Sequence, residues 1–264
     1  MKLLFWNTHN NKNINEYIVK LVEENEIDIV ILAEYNSNIE SLDILLDESR
    51  KKLCRCNTIG SERIKIWSNY CNIEPGFQDK YYSLQIVNNE YVICGVHMHS
   101  DLNGEHYDER LCLAEQIMEE IDKIKKKINS DKVIIMGDIN ESPYEKTSLS
   151  AKGFHGMPEL KLDDAVSRIV YGKKYEKMYN PMWNLYGDFN YPPGTYYRSE
   201  SKLCTPAWFM IDQIIMSKSM INFLKKDELR IVVECEGEKL YTREKHPNKK
   251  ISDHFPIVCE FDIM

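Results

Sequence analysis

Residues able to do acid–base or metal chemistry recur at the ends of short apolar runs in this chain. Asn7 follows Leu4-Phe5-Trp6, Glu34 follows Ile29-Val30-Ile31-Leu32-Ala33, and His97-Met98-His99 follows Ile93-Cys94-Gly95-Val96. Gly137-Asp138-Ile139-Asn140 follows Val133-Ile134-Ile135-Met136, Asp212 follows Met210-Ile211, and Ser252-Asp253-His254 precedes Phe255-Pro256-Ile257-Val258. One carboxylate at a strand end is ordinarily a turn or helix cap. Six such sites, supplying carboxylates, amides and imidazoles, outrun that explanation, because open α/β sheets gather ligands beyond the carboxyl ends of their strands. Oxygen donors of this kind suit a hard divalent cation such as Mg2+ or Mn2+. The imidazoles offer proton transfer or phosphate binding. The residues alone describe a candidate metal-assisted hydrolase.

The elements that must position these groups alternate in type. Ile14, Tyr17, Ile18, Leu21 and Val22 have helical spacing, and further helices are expected at 39–50 and 111–128. The last of these ends in lysines that complement the negative end of its dipole. Strands are expected at 3–6, 27–33, 64–67, 82–87, 91–98, 133–136, 211–216, 229–233 and 256–263, with Asn88-Asn89 as a hairpin turn. The nearly unbroken apolar run at 27–33 reads as a strand covered on both faces. Strand–helix–strand units mixed with hairpins predict an α/β protein of two packed mixed sheets with helices outside, one domain over 1–264. Residues 171–209 hold 11 of the 28 aromatic residues together with Pro181, Pro192 and Pro193. They read as a structured excursion from the scaffold.

The 264 residues are 43% hydrophobic and 29% charged, values of a globular rather than a disordered chain. With 34 Lys and Arg against 42 Asp and Glu the net charge is −8. A non-specific nucleic-acid coater relies on counterion release and is basic overall, so that class is disfavoured. An enzyme that concentrates charge at one site is not. The N-terminus lacks a signal core of about 7–15 apolar residues, and no window approaches the roughly 18 needed to span a bilayer. The expectation is a cytoplasmic protein with no membrane association and no obligate protein partner. Of the eight cysteines only Cys54 and Cys56 are close, without a CxxC pair, so they read as reduced thiols and not as a zinc site.

In order along the chain, Phe5-Trp6-Asn7, the strand ending in Glu34, the strand running into His97-Met98-His99, Gly137-Asp138-Ile139-Asn140, Ile211-Asp212-Gln213-Ile214-Ile215 and Ser252-Asp253-His254-Phe255-Pro256 form a set. This set resembles the endonuclease/exonuclease/phosphatase superfamily, which includes pancreatic deoxyribonuclease and the abasic-site endonucleases. Each motif is weak alone, but six in order span nearly the whole chain. The resemblance implies a four-layer α/β/β/α sandwich of two mixed β-sheets flanked by helices. It also implies Glu34 as principal ligand of a Mg2+ ion (Mn2+ as a possible substitute), with Asn7 and Asp253 near it. Asp138 would activate or orient the attacking water, and Asn140 would hold the phosphate or the water. His254 would contact the scissile phosphate, with Asp212 fixing its tautomer and raising its basicity. His99 matches the second histidine of the deoxyribonuclease branch, and Glu62 matches the glutamate that backs it there.

His97 and His99 lie two apart, so on a strand they share a face. The family pattern puts the histidine at the strand's end, which selects His99 and leaves His97 packed behind it. Gly187-Asp188-Phe189-Asn190 repeats the GDxN pattern, but without a buried strand before it, so Asp138 is the expected catalytic aspartate and Asp188 a turn residue. Residues 239–250 carry Lys239, Arg243, Lys245, Lys249 and Lys250 with one acid, Glu244. A solvated loop explains this run as well as a nucleic-acid backbone does. Trp183, Tyr186, Phe189, Tyr191, Tyr196 and Tyr197 could stack bases or fill the core of their own loop. Arg110 reads either as a phosphate contact or as a surface ion pair. The first expectation is a nuclease on DNA or RNA. The alternative is a phosphodiesterase or phosphatase acting on a nucleotide, inositol phosphate or lipid headgroup. A catalytically dead binding protein is disfavoured because no core position is missing.

Overall fold

A computed structural model of the chain describes residues 1–100, 106–161, 163–199 and 206–263. Successive strand side chains point to opposite faces, and here both faces are apolar. In β1 (Lys2–Asn7), Leu3 and Phe5 pack into one core cluster while Leu4 and Trp6 pack into another. The first sheet combines β1 with β2 (Ile29–Ala33), β3 (Cys54–Arg55), β4 (Ile64–Ser68), β16 (Leu224–Ile231) and β19 (Ile257–Phe261), in the order β16-β19-β1-β2-β4-β3. The second combines β5 (Ile73–Asp79), β6 (Tyr82–Val87), β7 (Tyr91–His97), β8 (Lys132–Asp138), β9 (Gly156–Met157), β12 (Met178–Tyr179) and β15 (Asp212–Ser217), in the order β5-β6-β7-β8-β15-β12-β9. Three short antiparallel pairs stand apart from these sheets: β10 (Ser167–Val170) with β11 (Lys173–Glu176), β13 (Tyr196–Tyr197) with β14 (Trp208–Phe209), and β17 (Glu234–Cys235) with β18 (Glu238–Lys239).

Between the sheets, Leu3, Phe5, Ile29, Ile31, Ile64 and Ile66 meet Ile93, Ile134, Met136, Ile214 and Met216. Gly95 lies in this interface, where a Cβ would come 2.8 Å from Ile31 Cγ2 and 2.9 Å from Ile64 Cγ2. The outer face of the first sheet is covered by α1 (Asn15–Asn25) and α2 (Ile39–Glu48) through Ile18, Leu21, Val22, Leu42 and Leu46. The outer face of the second is covered by α3 (Tyr107–Ile128) through Leu113, Ala114, Ile117 and Ile121. The result is the expected α/β/β/α sandwich, with parallel pairs β1–β2 and β7–β8 whose crossovers contain α1 and α3.

Beyond the two- to four-residue strands, which carried no expectation, two strands of the main sheets depart from the expected set. β5 contains Pro75 and Gly76, which obscure a strand pattern, and it lies at a sheet edge with a register shift between Pro75 and Gln78. Proline is tolerated there because an edge strand has spare N–H positions. β16 begins at Leu224 rather than at 229, and its first half, Lys225-Lys226-Asp227, is exposed on another edge. Among the described residues no helix is long and apolar enough to cross a membrane, and every cysteine is free.

Arg110 sits in the first turn of α3 and is buried. Its Nε donates to Glu141 Oε1 at 2.8 Å and its Nη1 to the His99 carbonyl at 3.0 Å. Glu141 also accepts from the Thr147 amide and hydroxyl, both at 2.7 Å. This is neither a phosphate contact nor a surface pair. It ties the loop after β7 to the loop after β8. Removing one partner of a buried pair strands the other charge, so Arg110→Ala is expected to cost about 3–5 kcal/mol. Urea denaturation measures it, and a loss below about 1 kcal/mol would show the pair to be structurally idle.

Candidate active site

The inter-sheet core does not end in apolar residues. In β8 the inner-facing positions Ile134 and Met136 are followed by Asp138, and in β15 Asp212 precedes the inner-facing Ile214 and Met216. In β7 Ile93 and Gly95 are followed by His97, and in β1 Leu3 and Phe5 are followed by Asn7. Register places His97 opposite Asp138 and Asp138 opposite Asp212. The row His97–Asp138–Asp212 therefore crosses three strands, and Asn7 Nδ2 reaches it from the other sheet with a 3.0 Å hydrogen bond to Asp138 Oδ2.

Glu34 leaves the end of β2 in the left-handed region, φ 49°, a conformation that costs an L-residue with a Cβ about 1–2 kcal/mol. Its carbonyl is held by the Asn10 amide and the Thr8 hydroxyl, both at 3.0 Å. Its carboxylate accepts from Asn10 Nδ2 at 2.8 Å and from Asn7 Nδ2 at 3.4 Å, with His97 Nε2 3.4 Å away. Strain concentrated on a carboxylate at a cavity wall is typical of functional positions.

His254 is fixed from both sides of its backbone. Ser252 donates its hydroxyl to the Asn7 carbonyl at 2.7 Å and accepts from the His254 amide at 3.1 Å, while Trp6 Nε1 donates to the His254 carbonyl at 2.9 Å. The imidazole Nδ1 lies 2.8 Å and 3.1 Å from the two carboxylate oxygens of Asp212. Both residues are buried. Burial opposes the imidazolium, but the Asp212 charge and hydrogen bond outweigh it, with Asp138 and Asp253 adding, and His254 is raised to about 10. Asp138 is raised to about 7 by burial and by Asp212, against the pull of His254, Asn7 and Asn140. His97 is lowered to about 3 by burial, with Arg63, His254 and His99 contributing, and is neutral.

Around a cavity of about 260 Å³ stand Glu34, His97, Asp138, Asn140, Asp253 and His254, with His9, Tyr196 and Arg198. Asn7 and Asp212 support this wall through the hydrogen bonds described above. Asn140 (φ 56°, a conformation Asn tolerates) donates its amide to Asp138 Oδ1 at 2.9 Å and its side chain to the Met98 carbonyl at 3.0 Å.

The histidines at and just beyond the end of β7 exchange the places expected for them. His97 Nε2 lies 3.4 Å from Glu34 and 3.7 Å from Asp138. His99 is displaced to an adjoining cavity of about 580 Å³, its ring 4.1 Å from that of Tyr81 and 5.6 Å from that of His106. The physical reason is that β7 ends at His97, the last residue paired with β8, so two-residue periodicity stops before His99. Glu62 does not back His99; its exposed side chain pairs with Lys80 at 3.8 Å. His97→Ala is expected to lower turnover about 10–100-fold, the usual effect of losing a group that orients metal or catalytic carboxylates, and His99→Ala less than about threefold. The opposite ranking would restore His99.

His9 and Tyr196 also stand at the cavity, where the sequence expectations do not place them: Tyr196 reads from sequence only as a base-stacking or loop-core ring. His9 (φ 48°) places Nδ1 3.0 Å from Asp253 Oδ1; the polar run Asn7-Thr8-His9-Asn10 after a strand was its signal. Tyr196 bridges to His254 with ring centroids 4.8 Å apart, a pairing of distant segments that no local pattern encodes. Asp188 is exposed and outside the cavity, and Phe189 is fully exposed. Trp183 and Tyr186 pack near Tyr144, and Tyr191 packs among Trp208, Tyr241 and Phe255, so these rings dock the excursion onto other segments more than they fill a core of its own. Of the basic run, Lys249 and Lys250 line a neighbouring cavity, while Lys239 and Lys245 lie over the rings of Tyr241 and Tyr191.

Ligand atoms of Asp138, Asp212 and His254 lie within 4.8 Å of one another. Asp212 and His254 are already spent on each other, which makes this a hydrogen-bonded dyad facing a carboxylate. Glu34 and Asp253 stand at the same cavity as further oxygen donors. There the carboxylates of Glu34 and Asp138 both accept from Asn7 Nδ2, whose Oδ1 accepts from the His9 amide at 3.0 Å, and Asp253 Oδ1 is buried without a hydrogen-bond donor in proper geometry. Hard oxygen donors concentrated in this way fit Mg2+ or Mn2+.

Residues 83–262, well over half of the chain, match the model of the Endonuclease/Exonuclease/phosphatase family, and the chain belongs to that family. Membership indicates a phosphoric ester hydrolase. No curated protein matches the sequence. Among solved structures it is similar to the 3′ phosphatase NExo from Neisseria bound to product DNA hairpin, at TM-score 0.60 and 15% identity over 100% of both chains. It is similar to an AP endonuclease from Archaeoglobus fulgidus, at 0.59 and 14% over 100% of both. A truncated Caenorhabditis elegans TDP2 gives 0.57 and 17% over 98% of this chain and 96% of that one. These likenesses carry the fold.

Proposed function

We propose that the protein is a divalent-metal-dependent phosphodiester hydrolase, a nuclease cleaving DNA or RNA, built as one domain over residues 1–264. The observation that carries this reading is the His254–Asp212 pair facing Asp138 and Glu34 across one cavity. An extended substrate is supported by the cavity's two open flanks: it shares Glu34, His97 and Ser100 with the 580 Å³ cavity and Arg198 and Asp253 with another of about 390 Å³. Small esters are more often enclosed. The DNA named for NExo points the same way. The free cysteines fit a reducing compartment, the cytoplasm.

Glu34, with Asn7 and Asp253, would hold Mg2+, or Mn2+ in its place. When bound, the ion supplies several kcal/mol of charge stabilisation on the phosphoryl oxygens. The chain's own residues do the rest. Asp138, with a carboxylate raised to about 7, is matched to accept a proton from the attacking water near neutral pH. His254 is cationic over the same range and neutralises a phosphate oxygen, held in orientation by Asp212. Asn140 and the neutral His97 position water and phosphate beside these charges.

The test is cleavage of end-labelled single- and double-stranded DNA and RNA with Mg2+, Mn2+ or EDTA, with Glu34→Gln protein alongside. Cutting is expected only with metal, and about 100-fold or more slower in Glu34→Gln. If no polymer is cut in any metal, the nuclease reading falls and small phosphate esters replace it.

A further inference from the structure

Some cations of this acidic protein are neutralised by a neighbouring carboxylate. Lys20, Lys51, Lys123 and Lys225, for example, sit directly against carboxylates. Arg198, Lys249 and Lys250 do not: among the described residues no carboxylate lies within 4.0 Å of any of them. They come from two segments far apart in sequence, yet all three line the 390 Å³ cavity that shares Arg198 and Asp253 with the catalytic cavity. His246, stacked on Tyr197 with ring centroids 3.5 Å apart and planes 8° from parallel, stands in the same cavity. The opposite flank is different. It offers one guanidinium, Arg63, lying over the Tyr81 ring, against Glu34 and Glu62.

Glu244 and Asp253 line the same cavity, so its wall carries three cations, none held in an ion pair, against two carboxylates, and the excess positive charge favours an anion there. We infer that the Arg198–Lys249–Lys250 cavity is a phosphate subsite that takes the phosphate next to the scissile one in a polynucleotide. This rests on the nuclease reading above and deepens it. The strand's backbone is held on this flank only, so the site reads a substrate with at least one phosphate beyond the bond it cuts. A monoester or an isolated diester leaves the subsite empty.

The experiment is binding of a short fluorescein-labelled single-stranded DNA in EDTA, followed by anisotropy over a series of salt concentrations. It compares wild type, the triple variant Arg198→Ala/Lys249→Ala/Lys250→Ala, and a charge-matched control, Lys152→Ala/Lys173→Ala/Lys174→Ala. All six positions are exposed, so both variants retain the core. The expected result is a Kd about tenfold or more higher in the first variant, with the slope of log K against log salt smaller by about two to three, roughly one for each phosphate that is no longer neutralised. The control should bind like wild type. A first variant with wild-type Kd and slope, or equal weakening in both variants, would overturn the subsite. Binding that needs the three cations in a protein that cuts no polynucleotide would sink the nuclease reading and leave the subsite standing. Polynucleotide cutting with unchanged binding would do the reverse.

Discussion

His254→Ala is expected to lower kcat for phosphodiester hydrolysis about 10³-fold, within the range of a positioned proton-transfer or charge-stabilising group. The partner variant is more informative. Asp212→Asn keeps the shape of the pair but removes the charge that holds the imidazole up at about 10. Burial is then opposed only by Asp138 and Asp253, and the imidazole falls back toward its ordinary value of about 6.5. A group raised in this way is charged below its pKa and loses the charge as pH rises through it. Wild-type activity should therefore persist up to about pH 10. In Asp212→Asn the alkaline limb should fall by about three pH units, and at pH 8 the rate should drop about 10-fold or more. A pH–rate profile decides. An Asp212→Asn enzyme with a lower rate but the same alkaline limb would show that Asp212 does not set the charge of His254.

Asp138→Asn should cost about 10³-fold, because an amide cannot accept the proton of the attacking water. Two features make this carboxylate the candidate base. Its oxygens already accept from Asn7 Nδ2 and the Asn140 amide, which fixes its orientation. Burial and the neighbouring Asp212 hold it near 7, where it still ionises at neutral pH. In the metal-free protein its titration, read by carboxyl NMR, is expected at about 7, and added Mg2+ should move it down because a nearby cation favours the ionised form. Asp188→Asn is the matched control, since Asp188 is exposed in a loop and lines no part of the cavity. It should change the rate less than twofold. A dead Asp188→Asn beside an active Asp138→Asn would reassign the base.

Much of this architecture is legible in the chain because burial on both faces leaves a local mark. The runs 29–33 and 133–136 are apolar without alternation, and both lie in central strands. Polar residues at the ends of such runs are also local information. Asn7, Glu34, Asp138, Asn140, Asp212, Asp253 and His254 all stand directly after or before apolar segments, and the fold brings them to one end of the inter-sheet core. Edge strands are harder to see, as β5 and β16 show, because one side meets solvent and the pattern is diluted by Pro75, Gly76 and the lysines at 225 and 226.

The sequence by itself determined which side chains end up at the strand ends, since the two-residue period of a strand and its apolar filling are written along the chain. Only the tertiary structure decided between His97 and His99, because that choice depends on where β7 leaves its partner β8. It alone joined Arg198 to Lys249 and Lys250, set His9 against Asp253 and buried Arg110 against Glu141. Each of these is a contact between segments distant in the chain. Its energy comes from charges and hydrogen bonds that exist only once the sheets have packed, so no local period or spacing records it.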